Sequence, residues 1–459
     1  MLQKPYICIE IQIDMIDRYL IVELEAWADR PGHKPLVLRG ARQVGKSTLV
    51  EQFSKRYGTY LKLNLENKAH ADLFREGRTV QEIIPLIYFI NKTERTDGRT
   101  LLFIDEIQTC PEAVAMLRYF YEEASDMDVI AAGSLLESLI DNHISFPVGR
   151  VEYKAVRPCS FLEFLGAAGF SGIRQALEAG GNLSGIHDLV QKQFNIFSVI
   201  GGMPEIVSDY TENHDLVRLD TIYETLVTGY RDDVEKYTRN NSQRNIIRHI
   251  LNAGWWEAGA RIKFEKFGHS QYRSRDMSEA FKTLSKTMLL ELVYPVTSAE
   301  LPIMPSLNFA PKLLWIDVGL VNYVGQVRAS LLQTEDISSV WSGRIAEQVV
   351  GQELISGDSR FSSFRSFYVG GSGSSAEVDF VIRHDDMVVP VEVKSGINSK
   401  LKSLHSFMDK SPYDVAVRFW PKEERSDVVK TDKGRPYRLI SLPYYYAGVL
   451  DKVLTRILY

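Results

Sequence analysis

Short apolar runs alternate with amphipathic stretches over the first third of the chain. Residues 35–39 (Pro-Leu-Val-Leu-Arg) read as a short buried strand, and residues 60–65, 101–104 and 128–132 as three more. Apolar positions at helical spacing over 48–57, 80–91 and 112–123 place a helix between each strand and the next. Strands that alternate with helices in this way predict a parallel sheet in an α/β unit. A helix-like run after Met15 reaches Ala28 and stops at Pro31-Gly32. Natural initiation is expected at Met15, because residues 1–14 fit no pattern downstream.

The pattern then turns helical. Residues 157–165 read as a junction, 166–185 as a glycine-rich loop or weak helix, and 186–197 and 216–230 as helices. Gly201-Gly202-Met203-Pro204-Glu205 breaks the helical pattern between them. From 239 the order is a helix over 242–255, a short helix over 264–268, a turn over 273–276 and a helix over 277–287. Two strands, 290–296 and 313–317, follow. That order reads as a winged helix with residues 277–287 as its recognition helix. Trp255 and Trp256 are expected in its core. A helix over 345–356 precedes two segments of strict alternation, 376–382 and 388–393. Both read as half-buried strands, with Val378, Phe380 and Ile382 on one face and Asp379 on the other.

With 459 residues the chain has room for about three domains. Its 54 Lys and Arg against 59 Asp and Glu give a net charge of -5, which excludes a globally basic nucleic-acid packer. Residues 239–286 differ from that average, with ten basic residues against four acidic ones. Arg273, Arg275, Lys282 and Lys286 would face a phosphate backbone there, so DNA or RNA is an expected partner. Three scattered cysteines, Cys8, Cys110 and Cys159, exclude a disulfide scaffold and point to a reducing, cytoplasmic setting. No apolar run has the length of a membrane helix, so no membrane partner is expected.

The strand at 35–39 opens onto Gly40-Ala41-Arg42-Gln43-Val44-Gly45-Lys46-Ser47, followed by Thr48, which fits GxxxxGK[ST] at every fixed position. Glycines let backbone N–H groups turn inward around phosphate oxygens, and the helix start adds positive potential. Lys46 would reach the β- and γ-phosphates of ATP, and the Ser47 hydroxyl would ligate Mg²⁺. The apolar strand at 101–104 ends in Asp105-Glu106. Asp105 would hold Mg²⁺ through its water shell, and Glu106 would orient and activate the attacking water.

A strand between these two motifs marks the additional-strand class of P-loop ATPases, and the sequence resembles AAA+ proteins. The resemblance implies that Ser134, after the strand at 128–132 and at the head of a short helix over 134–141, senses the γ-phosphate. It implies that Arg150 contacts nucleotide, in the same chain or in a neighbouring copy, and so a homo-oligomer. Taken with Ser160-Phe161, Gly201-Gly202-Met203-Pro204 and Ile316-Asp317-Val318-Gly319-Leu320, the order of motifs is similar to a bacterial and archaeal family. That family joins an AAA+ ATPase to a C-terminal domain of unknown function.

Asp379, Glu392 and Lys394 form an Asp-x₁₂-Glu-x-Lys pattern. With the turn centred between Asp385 and Asp386, Asp379 falls opposite Glu392. Facing carboxylates ~5 Å apart repel, and a divalent cation would relieve them. The pattern resembles the PD-(D/E)XK nucleases, although Val378 stands where that motif carries proline. The resemblance implies that Asp379 and Glu392 bind Mg²⁺, that Lys394 stabilises charge, and that Glu347 is an outer metal ligand.

The expected fold is α/β: an additional-strand P-loop ATPase core with a helical lid, a winged-helix-like middle and an α/β nuclease-like C-terminal domain. Expected boundaries are 1–160 for the core, 161–238 for the lid, 239–330 for the middle and 331–459 for the C-terminal domain. The function expected is ATP hydrolysis coupled to an arm that acts on nucleic acid. The alternative is a signalling or scaffold ATPase whose arm is a non-catalytic protein-interaction module.

Overall fold

The computed structural model describes residues 16–75, 77–134, 149–234, 240–332, 343–361, 365–370, 376–394 and 401–459. The expected start at Met15, all but the first residue of the helix expected over 134–141, Cys8 and Arg239 lie outside them. Five strands, β1 (Leu36–Arg39), β2 (Thr59–Asn64), β3 (Thr100–Asp105), β4 (Met127–Gly133) and β5 (Glu152–Ala155), pair in parallel in the order β2-β3-β4-β1-β5. β3 and β4 are buried along their whole length, as near-continuous apolar runs in a parallel sheet require. Leu101, Phe103 and Ile130 pack on one face, and Leu102, Ile104 and Val129 on the other. β5 escaped the sequence pattern because it is an edge strand whose charged residues, Glu152 and Lys154, stay partly exposed.

Helices Phe161–Ala167, Ser171–Glu178, His187–Ile200, Pro204–Asn213 and Leu219–Asp232 follow the core. The break at Gly201-Gly202 lasts three residues before Pro204 starts a helix, a position where proline's missing N–H costs nothing. Helices Asn241–Ala253 and Ser274–Lys286 come next, with β6 (Leu290–Val293), β7 (Pro295–Val296) and β8 (Lys312–Trp315). β6 and β8 pair antiparallel, and Arg261 bridges to Lys312. Trp255 is buried and stacks on Trp315, whereas Trp256 is 45% exposed and does not join that core.

The last sheet has seven strands. β9 (Ser366–Val369), β10 (Glu377–His384), β11 (Met387–Val393), β12 (Val415–Trp420), β13 (Arg425–Lys430) and β14 (Pro436–Pro443) join β7 in the order β13-β14-β12-β11-β10-β9-β7. β7 precedes the boundary expected at 330, so the sheet reaches back into the middle region. The β10–β11 hairpin has the expected register, from Phe380 opposite Val391 to His384 opposite Met387. Two expectations about these strands fail. They are buried on both faces, because they are inner strands packed by helices Arg344–Ser356 and Lys402–Met408. Val378 also leaves the face of Phe380 and Ile382, since a bulge against β9 falls between Val378 and Val381. Among the described residues no helix is long and apolar enough to cross a membrane, and Cys110 and Cys159 are buried free thiols.

Candidate functional site

β1 ends at Arg39, and the chain enters the glycine loop. Gly40 must lack a side chain, because a Cβ there would lie 2.3 Å from the Val156 carbonyl oxygen. Gly45, at φ +85°, turns the chain into helix Lys46–Ser54. Lys46 is buried, and its ammonium donates to the carbonyls of Gly40 (3.0 Å) and Ala41 (2.8 Å). Burial pushes Lys46 down to about 8, assisted by Arg42 and opposed by Glu106 and Asp105. The Ser47 hydroxyl donates to Asp105 Oδ2 at 2.6 Å, which joins the glycine loop to the end of β3. Glu106 follows in the left-handed region at φ +52°, a conformation that non-glycine residues adopt rarely and mostly where function requires it. Its carboxylate accepts from Gln108 Nε2.

These groups line a cavity of about 770 Å³ with Arg42, Gln43, Gly45, Thr48, Arg18 and Glu66. Pro204, Glu205 and Ser208 close it from the first turns of a lid helix. Val44 is buried behind the loop, and its carbonyl accepts from Arg18. Arg18 also donates to Glu163 (3.1 Å) and the Arg157 carbonyl (2.6 Å). Burial opposes its charge, but Glu163 more than offsets that and its pKa is raised. Arg42 pairs with Asp233 at 2.9 Å, and the Tyr230 hydroxyl donates to the Arg42 carbonyl, so the loop is tied to the lid.

A triphosphate fits this arrangement. Gly45 brings backbone without a side chain to the cavity, the Lys46 ammonium is hydrogen-bonded to carbonyls, and Ser47 with Asp105 supplies the oxygen donors that Mg²⁺ prefers. Ser134 is buried just past β4, between the strands that carry the two motifs, but is not among the residues that line the cavity. Arg150 does not line the cavity, contrary to a contact within the same chain. It is paired with Glu122 at 2.8 Å, 45% exposed, and stands over the Tyr121 ring. Arg18 and the lid residues were missed, because their roles depend on contacts distant in the chain, and Gln108 was missed although its partner Glu106 is only two residues away.

The C-terminal constellation is built differently from its expectation. Asp379 lies one step beyond the last hairpin pair, and its Oδ2 accepts the Val393 N–H at 2.8 Å. Glu392 is buried, pairs with Lys394 at 2.9 Å, and leaves Oε2 without a hydrogen-bond partner. Lys312, from β8, enters from the middle region at 1% exposure. Its ammonium lies 2.6 Å from Glu347 Oε2, 3.3 Å from the Asp379 carbonyl and 3.6 Å from Asp379 Oδ1. Burial and Asp379 raise Glu392 to about 8, and the same causes raise Glu347 to about 7.

The expected metal site of Glu347, Asp379 and Glu392 is therefore not assembled. No group of three or more His, Cys, Asp or Glu among the described residues is arranged to hold a metal ion. A buried ammonium sits between Glu347 and Asp379, where a cation would have to go. Two lysines lie among the three carboxylates, and burial favours the protonated forms of Glu392 and Glu347. Nothing around Lys312 in the sequence marks it, since Lys-Leu-Leu-Trp reads only as a strand start.

Residues 32–165 match the family described as AAA domain. Residues 191–331 and 342–443 match two further families, each described as a domain of unknown function (DUF8612 and DUF4143). Among curated proteins none matches. Similar solved structures include the Walker-type ATPase PABY2304 of Pyrococcus abyssi, at 14% identity over 68% of this chain and 97% of that one, with a TM-score of 0.44. Others are the Aeropyrum pernix ORC1 protein in complex with DNA (11% identity, 71% and 97%, TM-score 0.29) and the Thermotoga maritima RuvB Holliday junction branch migration motor (16%, 61% and 90%, 0.29). At these scores the likenesses decide nothing about function. The family match and the parallel sheet with its glycine loop make the N-terminal unit an AAA domain of the P-loop ATPase type.

Proposed function

We propose that the chain binds MgATP in the cavity behind the glycine loop, hydrolyses it, and passes the nucleotide state through the lid to its C-terminal arm. The observation that carries this reading is the 2.6 Å bond from Ser47 to Asp105, which brings both halves of the motif onto one cavity wall beside Lys46 and Glu106. Backbone N–H groups of the loop and the Lys46 ammonium hold the β- and γ-phosphates. Ser47 and Asp105 would hold Mg²⁺, which when bound neutralises charge developing on the transferred phosphoryl group. Glu106 orients the attacking water and takes its proton, and Gln108 fixes that carboxylate. Ser134 reads the γ-phosphate from the end of β4. Arg150, on the outer surface, serves a neighbouring copy of the chain.

The arm is nuclease-like in its strand pattern but binds rather than cuts, because Lys312 takes the place of the metal. Its partner is a nucleic-acid backbone met by the exposed Arg273, Lys263 and Lys282 of a winged-helix-like middle. A second reading has a protein partner, which the mixed charge of the exposed Arg275–Glu279 pair (3.2 Å) on the same face would suit. ATP hydrolysis measured with and without DNA and RNA, alongside affinity across salt, separates the two. A rate that responds to nucleic acid, with affinity falling steeply as salt rises, supports the first. Absence of binding at low salt assigns the arm to a protein.

A further inference from the structure

A second cavity, of about 320 Å³, lies where the core, the middle region and the arm meet. That is the lower end of the range for small-molecule sites. Its walls come from the end of β1, residues 156–158, the end of helix Ser274–Lys286, strands β6 and β8, and helix Arg344–Ser356. It shares no lining residue with the nucleotide cavity. Four cationic side chains line it, Arg39, Arg157, Lys286 and Arg365, against the single carboxylate Glu291.

Arg365 is more than nine-tenths buried. Its guanidinium donates to the Gly351 carbonyl and pairs with Glu291, yet its Nε has no hydrogen-bond partner. Arg157 donates to the carbonyls of Asp358 and Arg360. Burial, with Arg365 nearby, lowers Arg157 to about 10, so the two guanidiniums press on one another. The two guanidiniums repel one another, and a buried donor such as the Arg365 Nε left without an acceptor is costly. Leu290, Leu314, Ile355 and Phe361 give the cavity an apolar side, Ser285, Gln352 and Ser356 add uncharged polar groups, and the Arg39 guanidinium lies 4.6 Å from the Phe361 ring centre.

We propose that this cavity binds a small organic phosphate, with its phosphate on Arg157, Lys286 and Arg365 and a flat body against the apolar wall and Phe361. Guanidinium forks match phosphate oxygens in pairs, and an anion there satisfies the Arg365 Nε. The site stands next to the nucleotide machinery, because Arg39 immediately precedes Gly40.

The test is calorimetry on the full chain carrying one equivalent of MgADP at the glycine loop. The probes are AMP, ribose 5-phosphate and inorganic phosphate. AMP or ribose 5-phosphate is expected to bind in a second, salt-sensitive event, and inorganic phosphate at least ~10-fold more weakly, for want of contacts to the apolar wall. Tighter binding of AMP assigns the ligand to nucleotides, and equal binding of ribose 5-phosphate assigns it to sugar phosphates. Lys286→Ala, at an exposed helix end, should weaken the organic probe about 10-fold. Ser285→Trp, which fills the cavity from its rim, should abolish the event. Unchanged melting temperatures confirm that both variants fold. The proposal is overturned if no second event occurs, if both variants bind like the unmodified chain, or if inorganic phosphate binds as tightly as the organic probes.

Discussion

Lys46 carries its charge in an unfavourable place. Burial brings its ammonium to about 8, so at pH 7 it is charged before nucleotide arrives and at pH 9 mostly neutral. Phosphate oxygens beside it would raise that value. Between the free and bound values, binding must then take up a proton, and affinity should fall up to ~10-fold per pH unit above about 8. Calorimetry in two buffers of different ionisation heat reads this directly. Uptake near zero at pH 7 and near one proton at pH 9 is expected, and equal uptake at both would show that Lys46 does not meet the phosphates. The P-loop residues were legible in the sequence because the motif is local: each fixed position lies within eight residues and one turn. Arg18 and Lys312 were not, because each acts on a partner fixed only by the fold, while Gln108 has a local partner, Glu106, but no motif that marks it. Lys312 and Glu347 are 35 residues apart, and Arg18 and Glu163 are 145 apart.

At the scale of elements, the hairpin register could be derived from alternation and a two-residue turn, and the structure has that register. The bulge at Val378–Val381 could not, because it depends on pairing with β9, a strand without a clear signal of its own. Nor could the sequence show that β8 would deliver a lysine to the acid cluster. Lys312→Met should leave the buried Asp379 and the half-buried Glu347 without their cation, at a cost of about 3 kcal/mol. The variant should also acquire stabilisation by Mn²⁺ that the unmodified chain lacks, read as a melting shift with MgATP saturating. A Mn²⁺ shift in the unmodified chain that vanishes in Asp379→Asn would restore the metal site.

Helix Arg344–Ser356 joins this cluster to the core. Gln348 brackets Trp315, Gln352 accepts from Val318 N–H, and Glu353 accepts from Phe161 N–H at 3.1 Å. Burial, with Glu163 and Asp317 nearby, raises Glu353 to about 8 against an ordinary 4.5. A carboxyl whose folded pKa is raised contributes stability that is full below its unfolded value and is lost as pH rises towards its folded value. Glu353→Gln keeps the acceptor without the charge. It should melt like the parent at pH 5 and above it at pH 8.5, and identical pH profiles would place Glu353 in a more polar setting.

Across the whole molecule, the lid, the core and the middle region meet at Asp317. Its buried carboxylate accepts the N–H groups of Gly202 (2.6 Å) and Leu320 (3.1 Å), while Gly202 O accepts from Cys159 N–H. The sequence marked Gly201-Gly202 and Ile316-Asp317 as separate motifs, and only the fold shows that they are one joint. Glycine is required there, since a Cβ on Gly202 would lie 2.0 Å from the Cys159 carbonyl oxygen. Gly202→Ala should therefore destabilise the chain by about 1–3 kcal/mol or more in urea unfolding. The parallel core was legible, apart from the edge strand β5, because its central strands β3 and β4 are continuous apolar runs. The seven-stranded sheet was less so, because β7 is two residues long and β13 is mostly exposed. The joint begins three residues before Glu205 on the nucleotide cavity, so what happens at the γ-phosphate has a short path to the arm. All of this rests on turnover at that cavity. Release of inorganic phosphate from MgATP should be measured for the unmodified chain, Lys46→Ala and Glu106→Gln, together with nucleotide binding. The unmodified chain is expected to turn over, Lys46→Ala to lose binding, and Glu106→Gln to bind normally while its rate falls by ~10²-fold or more. Undiminished hydrolysis by Glu106→Gln, or no binding by the unmodified chain, would contradict it.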